Sequence, residues 1–200
     1  MTRIAITPTP PRWAEAVLRL FLAPTDFATV SGDLLEAYRD TMYPARGPAA
    51  ADAWYSRQVL GFVARSAGIW AVLFGGAFVT REVIDALAPP LDYHFRSAVT
   101  TYLAIGLLLA AGLWTSVRSG SPLAGTLAGV ATTAMAAVIS ILGAACFVAV
   151  WHDARTIAAI DAGGGLGEVF TLPVMMIVPG AVLGTVGGLV GAGIRRLRPV

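Results

Sequence analysis

The chain changes character near residue 65: polar and charged positions recur every few residues before it, and long apolar runs follow it. An α-helix needs roughly 20 apolar residues to cross a bilayer, and four runs meet or approach that length. The first is centred on 66–80, between Arg65 and Arg81; it reaches spanning length by extension to about residue 88, or back through 59–64 with Arg65 snorkelling to the interface. The second, SAVTTYLAIGLLLAAGLWTSV (97–117), lies between Arg96 and Arg118. The third follows the SGSP turn and covers about 123–151, and the fourth covers about 170–194, between Glu168 and Arg195. The expected fold is all-α: an integral membrane protein with four transmembrane helices (66–200), preceded by a small helical module (1–65).

Within that module the apolar positions have helical spacing. After a proline-rich start, Trp13, Val17, Leu20 and Phe21 share one face of a short amphipathic helix that Pro24 ends. A second helix is expected from Thr25 to Met42, with Phe27, Val30, Leu34 and Tyr38 on one face and Asp33, Glu36, Arg39 and Asp40 largely elsewhere; YPARGP (43–48) ends it. A third, containing residues 52–66, leads toward or directly into the first span. Gly32 sits inside the second helix, where glycine costs about 1 kcal/mol relative to alanine. Either the helix restarts there, with Asp33 as cap and Glu36 three residues on, or Gly32 marks a close helix crossing. The unbroken period from Phe27 to Tyr38 favours the crossing.

The spans carry small residues at four-residue spacing, the mark of close helix contact in lipid. Ala128, Thr132, Ala136, Ser140 and Ala144 form one such face, and Gly180, Gly184 and Gly188 another, with Gly187 and Gly191 on an adjacent stripe. These are the expected helix-packing residues. Pro173 fits the first turn of the fourth span, whereas Pro179 falls inside it and removes the bond to the Met175 carbonyl, so a kink or hinge is expected at Pro179 and Gly180.

Composition agrees with a membrane location: 56% of residues are hydrophobic and 13% charged, against about 25% charged in soluble chains. All fourteen basic residues are arginine, the formal charge is +2, and no basic patch points to nucleic acid. With both termini inside, eleven arginines lie on the cytoplasmic side and three (Arg81, Arg96 and Arg155) outside, which sets the orientation. The segment AVLRLFLAP is broken by Arg19 and meets no small-residue cleavage site, so no leader is expected to be removed.

Candidate chemistry is sparse. Cys146 is the single cysteine and is expected to be a packing residue, which leaves neither a disulfide nor a cysteine metal cluster within one chain. His94 and His152, the latter beside Asp153, stand in different loops without ligand spacing. AGGGLGE (162–168) lacks the preceding strand and following Lys-Ser/Thr of a phosphate loop and is expected to be a flexible loop. The second, third and fourth spans have no ionisable residue in their interiors, which disfavours ion-coupled transport and intramembrane proteolysis. No metal, no cofactor and no catalytic residue is expected.

One resemblance adds to this. The sequence PRWAEAVLRLFLAPTDFATVSGDLLEAYRD, then RG, then WYSRQVL resembles the permease prefix domain found ahead of bacterial, especially acidobacterial, ABC-type permeases. The match is a short helix ending in a Leu-Pro-type sequence, the Gly32, Asp33, Leu34, Glu36 and Tyr38 core, and the Trp54, Tyr55 and Gln58 continuation, over about the first sixty-five residues. Members of that family are joined to permeases with a large extracytoplasmic domain, whereas the outer loops here are under about twenty residues. The resemblance implies a bacterial inner-membrane protein acting as a non-catalytic accessory or regulatory component, with an ABC permease or ATPase subunit as partner and those eight residues as contact surface. The alternative is a homo-oligomer whose spans associate through their small-residue faces to form a channel or facilitator for a small neutral solute.

Overall fold

A computed structural model of the chain describes residues 8–87, 93–150, 158 and 165–197, and every element among them is a helix. The chain divides into two units, Met1–Ser66 and Ala67–Val200.

In the first unit, α1 (Arg12–Phe21) begins after Pro11, whose φ of −58° and ψ of 124° keep the chain extended up to the first helical residue. It buries Ala14, Leu18 and Phe21. This face is turned by one residue from the expected one, and Trp13 stands 50% exposed. Arg12, Glu15 and Arg19 gather on one side of α1 and leave a wide apolar arc, so its period marks the polar face but not which part of the arc is buried, and small Ala14 lets the helix lie closest to the core. In α2 (Pro24–Glu36) proline occupies the first position, where its missing N–H costs nothing. The Arg19 guanidinium lies 5.0 Å over the Phe27 ring and ties α1 to α2.

From Ala37 to Met42 the helix widens into a π turn, so that the Tyr43 N–H bonds the Tyr38 carbonyl five residues back. The widened turn gives way just before Pro44, which has no N–H to keep an α register. Helix α3 (Tyr43–Arg46) continues past the expected stop, and Gly47, at a φ of +78° that suits only glycine, ends it. Helix α4 (Pro48–Leu87) starts at once and runs unbroken for 40 residues, as expected for a helix leading directly into the first span. Its first part contributes Ala51, Tyr55 and Val59 to a core completed by Ala14, Leu18 and Tyr38.

Gly32 meets neither expectation. It is exposed inside a continuous α2, so Asp33 caps nothing, and a Cβ added to it would have nothing within 4 Å.

The second unit contains the rest of α4 with α5 (Tyr93–Ser119), α6 (Pro122–Val150), α7 (Gly165–Met175) and α8 (Ile177–Leu197). Among the described residues, four helical stretches are long and apolar enough to cross a membrane: Pro48–Asp85, His94–Ser119, Pro122–Val150 and Phe170–Leu197. The Gly165–Glu168 part of AGGGLGE is helical rather than a loop, and residues 162–164 lie outside the described residues. Large apolar side chains such as Ile69, Leu73, Leu103, Leu142, Val182 and Leu189 face outward. An apolar exterior of this extent suits a surround of lipid.

Helix α6 occupies the middle of this unit. Its expected face, Ala128, Thr132, Ala136, Ser140 and Ala144, is buried throughout. Gly75 of α4 sits where a Cβ would come within 2.9 Å of Ile139, and Gly143 of α6 sits against Val79. The glycines of α8 divide between two neighbours. A Cβ on Gly184 would lie 2.5 Å from the Gly125 carbonyl oxygen, and Gly180 abuts Thr133; on the adjacent stripe, a Cβ on Gly191 would lie 2.5 Å from the Leu113 carbonyl, and Gly187 abuts the Leu109 carbonyl. Backbones therefore touch directly, as expected for Gly180, Gly184 and Gly188, and α6 answers with Gly125 and Gly129 and α5 with Gly112. Between α6 and α8, Thr126 Oγ1 and Thr185 Oγ1 share a hydrogen bond of 2.8 Å.

Candidate functional site

The eight positions carried by the resemblance fall into three environments. Tyr38 and Tyr55 are interior, at 1% and 0% exposure, with rings 5.9 Å apart at 87°, edge to face. These two are corrected from contact surface to core: their rings hold α2 and the π turn against α4. Leu34 and Trp54 are half-buried and pack against that core, and Gln58 is also partly enclosed. Only Gly32, Asp33 and Glu36 are exposed. Asp40 joins them at helical spacing, and none of the three acids has an ion pair or side-chain hydrogen bond among the described residues.

Sequence reasoning missed the polar centre behind this surface. The Tyr38 hydroxyl donates to Asp52 Oδ1 at 2.7 Å and lies 3.3 Å from the Thr9 carbonyl oxygen. Burial, and then the hydrogen bond to the Asp52 carboxylate, push the Tyr38 phenol up to about 12. Beside it, Arg39 Nε donates to the Pro8 carbonyl at 3.0 Å. Asp52 lies on the α4 face that also presents Ala51 and Tyr55, three residues apart from the latter, and that spacing was the available signal. Nothing in the sequence pairs it with a tyrosine fourteen positions earlier.

In the second unit, Asp85 of α4 accepts from Arg81 Nε at 3.1 Å and from Arg96 Nε of α5 at 2.6 Å, so a single carboxylate joins the ends of two spans. At α5's other end, Gly120 (φ +81°) closes the helix, and Arg195 Nη1 of α8 donates to the Arg118 carbonyl. Among the described residues, no group of three or more His, Cys, Asp or Glu could hold a metal ion. His94 is exposed, while His152, Asp153 and Arg155 lie outside the described residues. Cys146 is exposed rather than packed inside, because it lies off the small-residue face of α6.

The expected hinge is displaced. The helix is interrupted at Met176, between α7 and α8, one turn before Pro179, where proline's ring and missing N–H disturb the preceding carbonyls. Pro179 itself is exposed, and the Gly180 N–H bonds the Met176 carbonyl at 2.8 Å. Pro173 is a buried interior residue of α7 rather than a first-turn one, because the helix already begins at Gly165.

No protein-family model matches the chain, and no curated protein and no solved structure is similar to it.

Proposed function

We propose that this is a small bacterial inner-membrane protein with both termini in the cytoplasm, acting as a non-catalytic accessory or regulatory component beside an ABC-type permease or its ATPase. The observation that carries the reading is the exposed acidic face Asp33, Glu36 and Asp40 on a helical unit that has a hydrophobic core of its own. Such a surface suits a partner that offers arginine or lysine, and the resemblance of residues 1–65 to a permease prefix domain supports the class of partner. The arginine count, eleven against three, supports the orientation.

The channel alternative gains no support from the glycine stripes. Gly180, Gly184 and Gly188 are filled by α6 of the same chain, which leaves them no free face for a second copy.

Photocrosslinkers at positions 33, 36 and 54, used in membranes, test the reading. It predicts capture of a permease or ATPase subunit from positions 33 and 36, and capture from position 54 that Asp33→Arg with Glu36→Arg abolishes. Capture of no such subunit, with the double variant behaving as wild type in cells, would overturn it.

A further inference from the structure

Away from its core face, α1 carries an outward strip of apolar residues beside two arginines. At 3.6 residues per turn, Trp13, Ala16 and Leu20 fall within about 60° of one another. Trp13 is 50% exposed and Ala16 is open, whereas Ala14, Leu18 and Phe21 are buried on the other side of the helix. A shallow notch of about 370 Å³ opens over Ala16, walled by Arg12, Glu15, Arg19 and Leu20. Glu15 is half-buried, both arginines are exposed, and Arg12 has no ion pair among the described residues, so the charge around the notch is positive. Arg19 lays one face of its guanidinium over the Phe27 ring, 5.0 Å away, which steadies it there and leaves its N–H edge to donate.

Two guanidinium groups around a small floor residue match a phosphodiester, which each can meet with paired N–H donors. The indole beside them adds an apolar body with one polar N–H. Tryptophan and arginine together suit the headgroup level of a bilayer, where the ring sits between water and hydrocarbon and the arginine stem covers apolar surface while its head stays with the phosphates. A bilayer is also beside this unit by covalent connection, because the unit ends at Ser66, where the apolar run of the first span begins. Anionic lipid attracts Arg12 and Arg19 and repels Asp33, Glu36 and Asp40, so the unit's own charges favour α1 as its lipid side.

We propose that α1 anchors the first unit to the membrane surface, with Trp13 and Leu20 in the headgroup region and the phosphate of an anionic phospholipid held over Ala16 by Arg12 and Arg19. The inference rests on α1 and on the four spans, and it does not need a permease partner.

The test uses the full chain in nanodiscs, with Cys146→Ser so that one introduced cysteine carries an environment-sensitive fluorophore. Ala16→Cys places the label on the strip, and Gly32→Cys places it on the exposed acidic side of α2. In discs of phosphatidylglycerol, quenching by a lipid with a nitroxide near its headgroup is expected at position 16 and not at position 32. In discs of phosphatidylcholine, or with Arg12→Glu, the ratio of lipid-bound to free label at position 16 should fall about fivefold or more. Trp13→Ser should lower it as well, with hydrogen exchange of the Leu18, Tyr38 and Tyr55 core unchanged, since Trp13 lies outside that core. Quenching at position 16 no greater than at position 32 overturns the proposal. So does quenching at position 16 that is equal in both lipids and indifferent to Arg12→Glu, or a photocrosslinker at that position that captures protein and no lipid in native membranes.

Discussion

The two units are both helical, yet their helices are brought together mainly by different means. The first is filled by large residues, with Leu18, Tyr38, Tyr55 and Val59 all enclosed, and its outside carries acids and arginines. The second has one cluster of large side chains around Phe74 and Leu108, but its α5, α6 and α8 are closed by missing side chains, with Gly112, Gly125, Gly129, Gly180, Gly184, Gly187, Gly188 and Gly191 letting backbones touch, while many leucines and valines point out. The difference follows from the solvent. Water drives apolar area together in proportion to the area removed, so a core in water gains from bulk. Lipid tails are as apolar as leucine and give no such drive, so contact must come from close fit.

That contrast is most sharply tested at its tightest point. Gly184→Leu should cost about 3 kcal/mol or more, because the atoms in the way are backbone: the Gly125 oxygen at 2.5 Å and the Gly129 Cα at 2.9 Å. Gly193→Leu, on the same helix but with nothing within 4 Å, should cost nothing and gain up to about 1 kcal/mol from helix propensity. Denaturant unfolding in detergent micelles reads both, and equal effects would abolish the contrast.

In the first unit the corresponding weak point is the polar handle on a large ring. Tyr38→Phe keeps the ring, leaves Asp52 without its donor, and should cost about 2 kcal/mol. Hydrogen exchange of α2 and the first half of α4 reports this without reference to the spans. The same hydroxyl gives the unit a dependence on alkaline pH. Its folded value, about 12, lies above the unfolded value of 10.0, so its contribution is whole below pH 10 and is lost as pH rises through 12. Tyrosinate absorbance during unfolding should show this loss in the wild type, and the Phe variant should lack that component.

At Gly32 the expected effect is a gain. Gly32→Ala should stabilise the first unit by about 1 kcal/mol, because the helix continues through this position and the added carbon enters open space. Loss of stability there would mean that the glycine has a neighbour.

These positions also show what the sequence made legible. The four spans were readable because long apolar runs between arginines have few alternative folds, and the Gly180, Gly184 and Gly188 face because lipid-embedded glycines at that spacing pack. The same inference failed at Gly32: in the first unit, side-chain bulk closes the core, so a glycine can stand in open helix without serving an interface. The face of α1 was misplaced by one residue because the apolar arc opposite Arg12, Glu15 and Arg19 is wider than the part that is buried. The π turn and the Tyr38–Asp52 bond left no periodic trace, since they depend on which tertiary neighbours arrive. The break at Met176 was anticipated from Pro179 but placed one turn late, because the disturbance falls on the carbonyls before the proline.

The shared hydroxyl bond between Thr126 and Thr185 has a consequence for registration. A glycine every four residues is a ruler with identical marks: sliding α8 along α6 by one turn, about 6 Å, would again set glycine against glycine. The threonines do not repeat. One turn away in either direction, Thr126 would face Ala181 or Leu189, neither of which can return its hydrogen bond. The glycines thus allow several settings of the two helices, and one pair of hydroxyls distinguishes the native one from its translated copies.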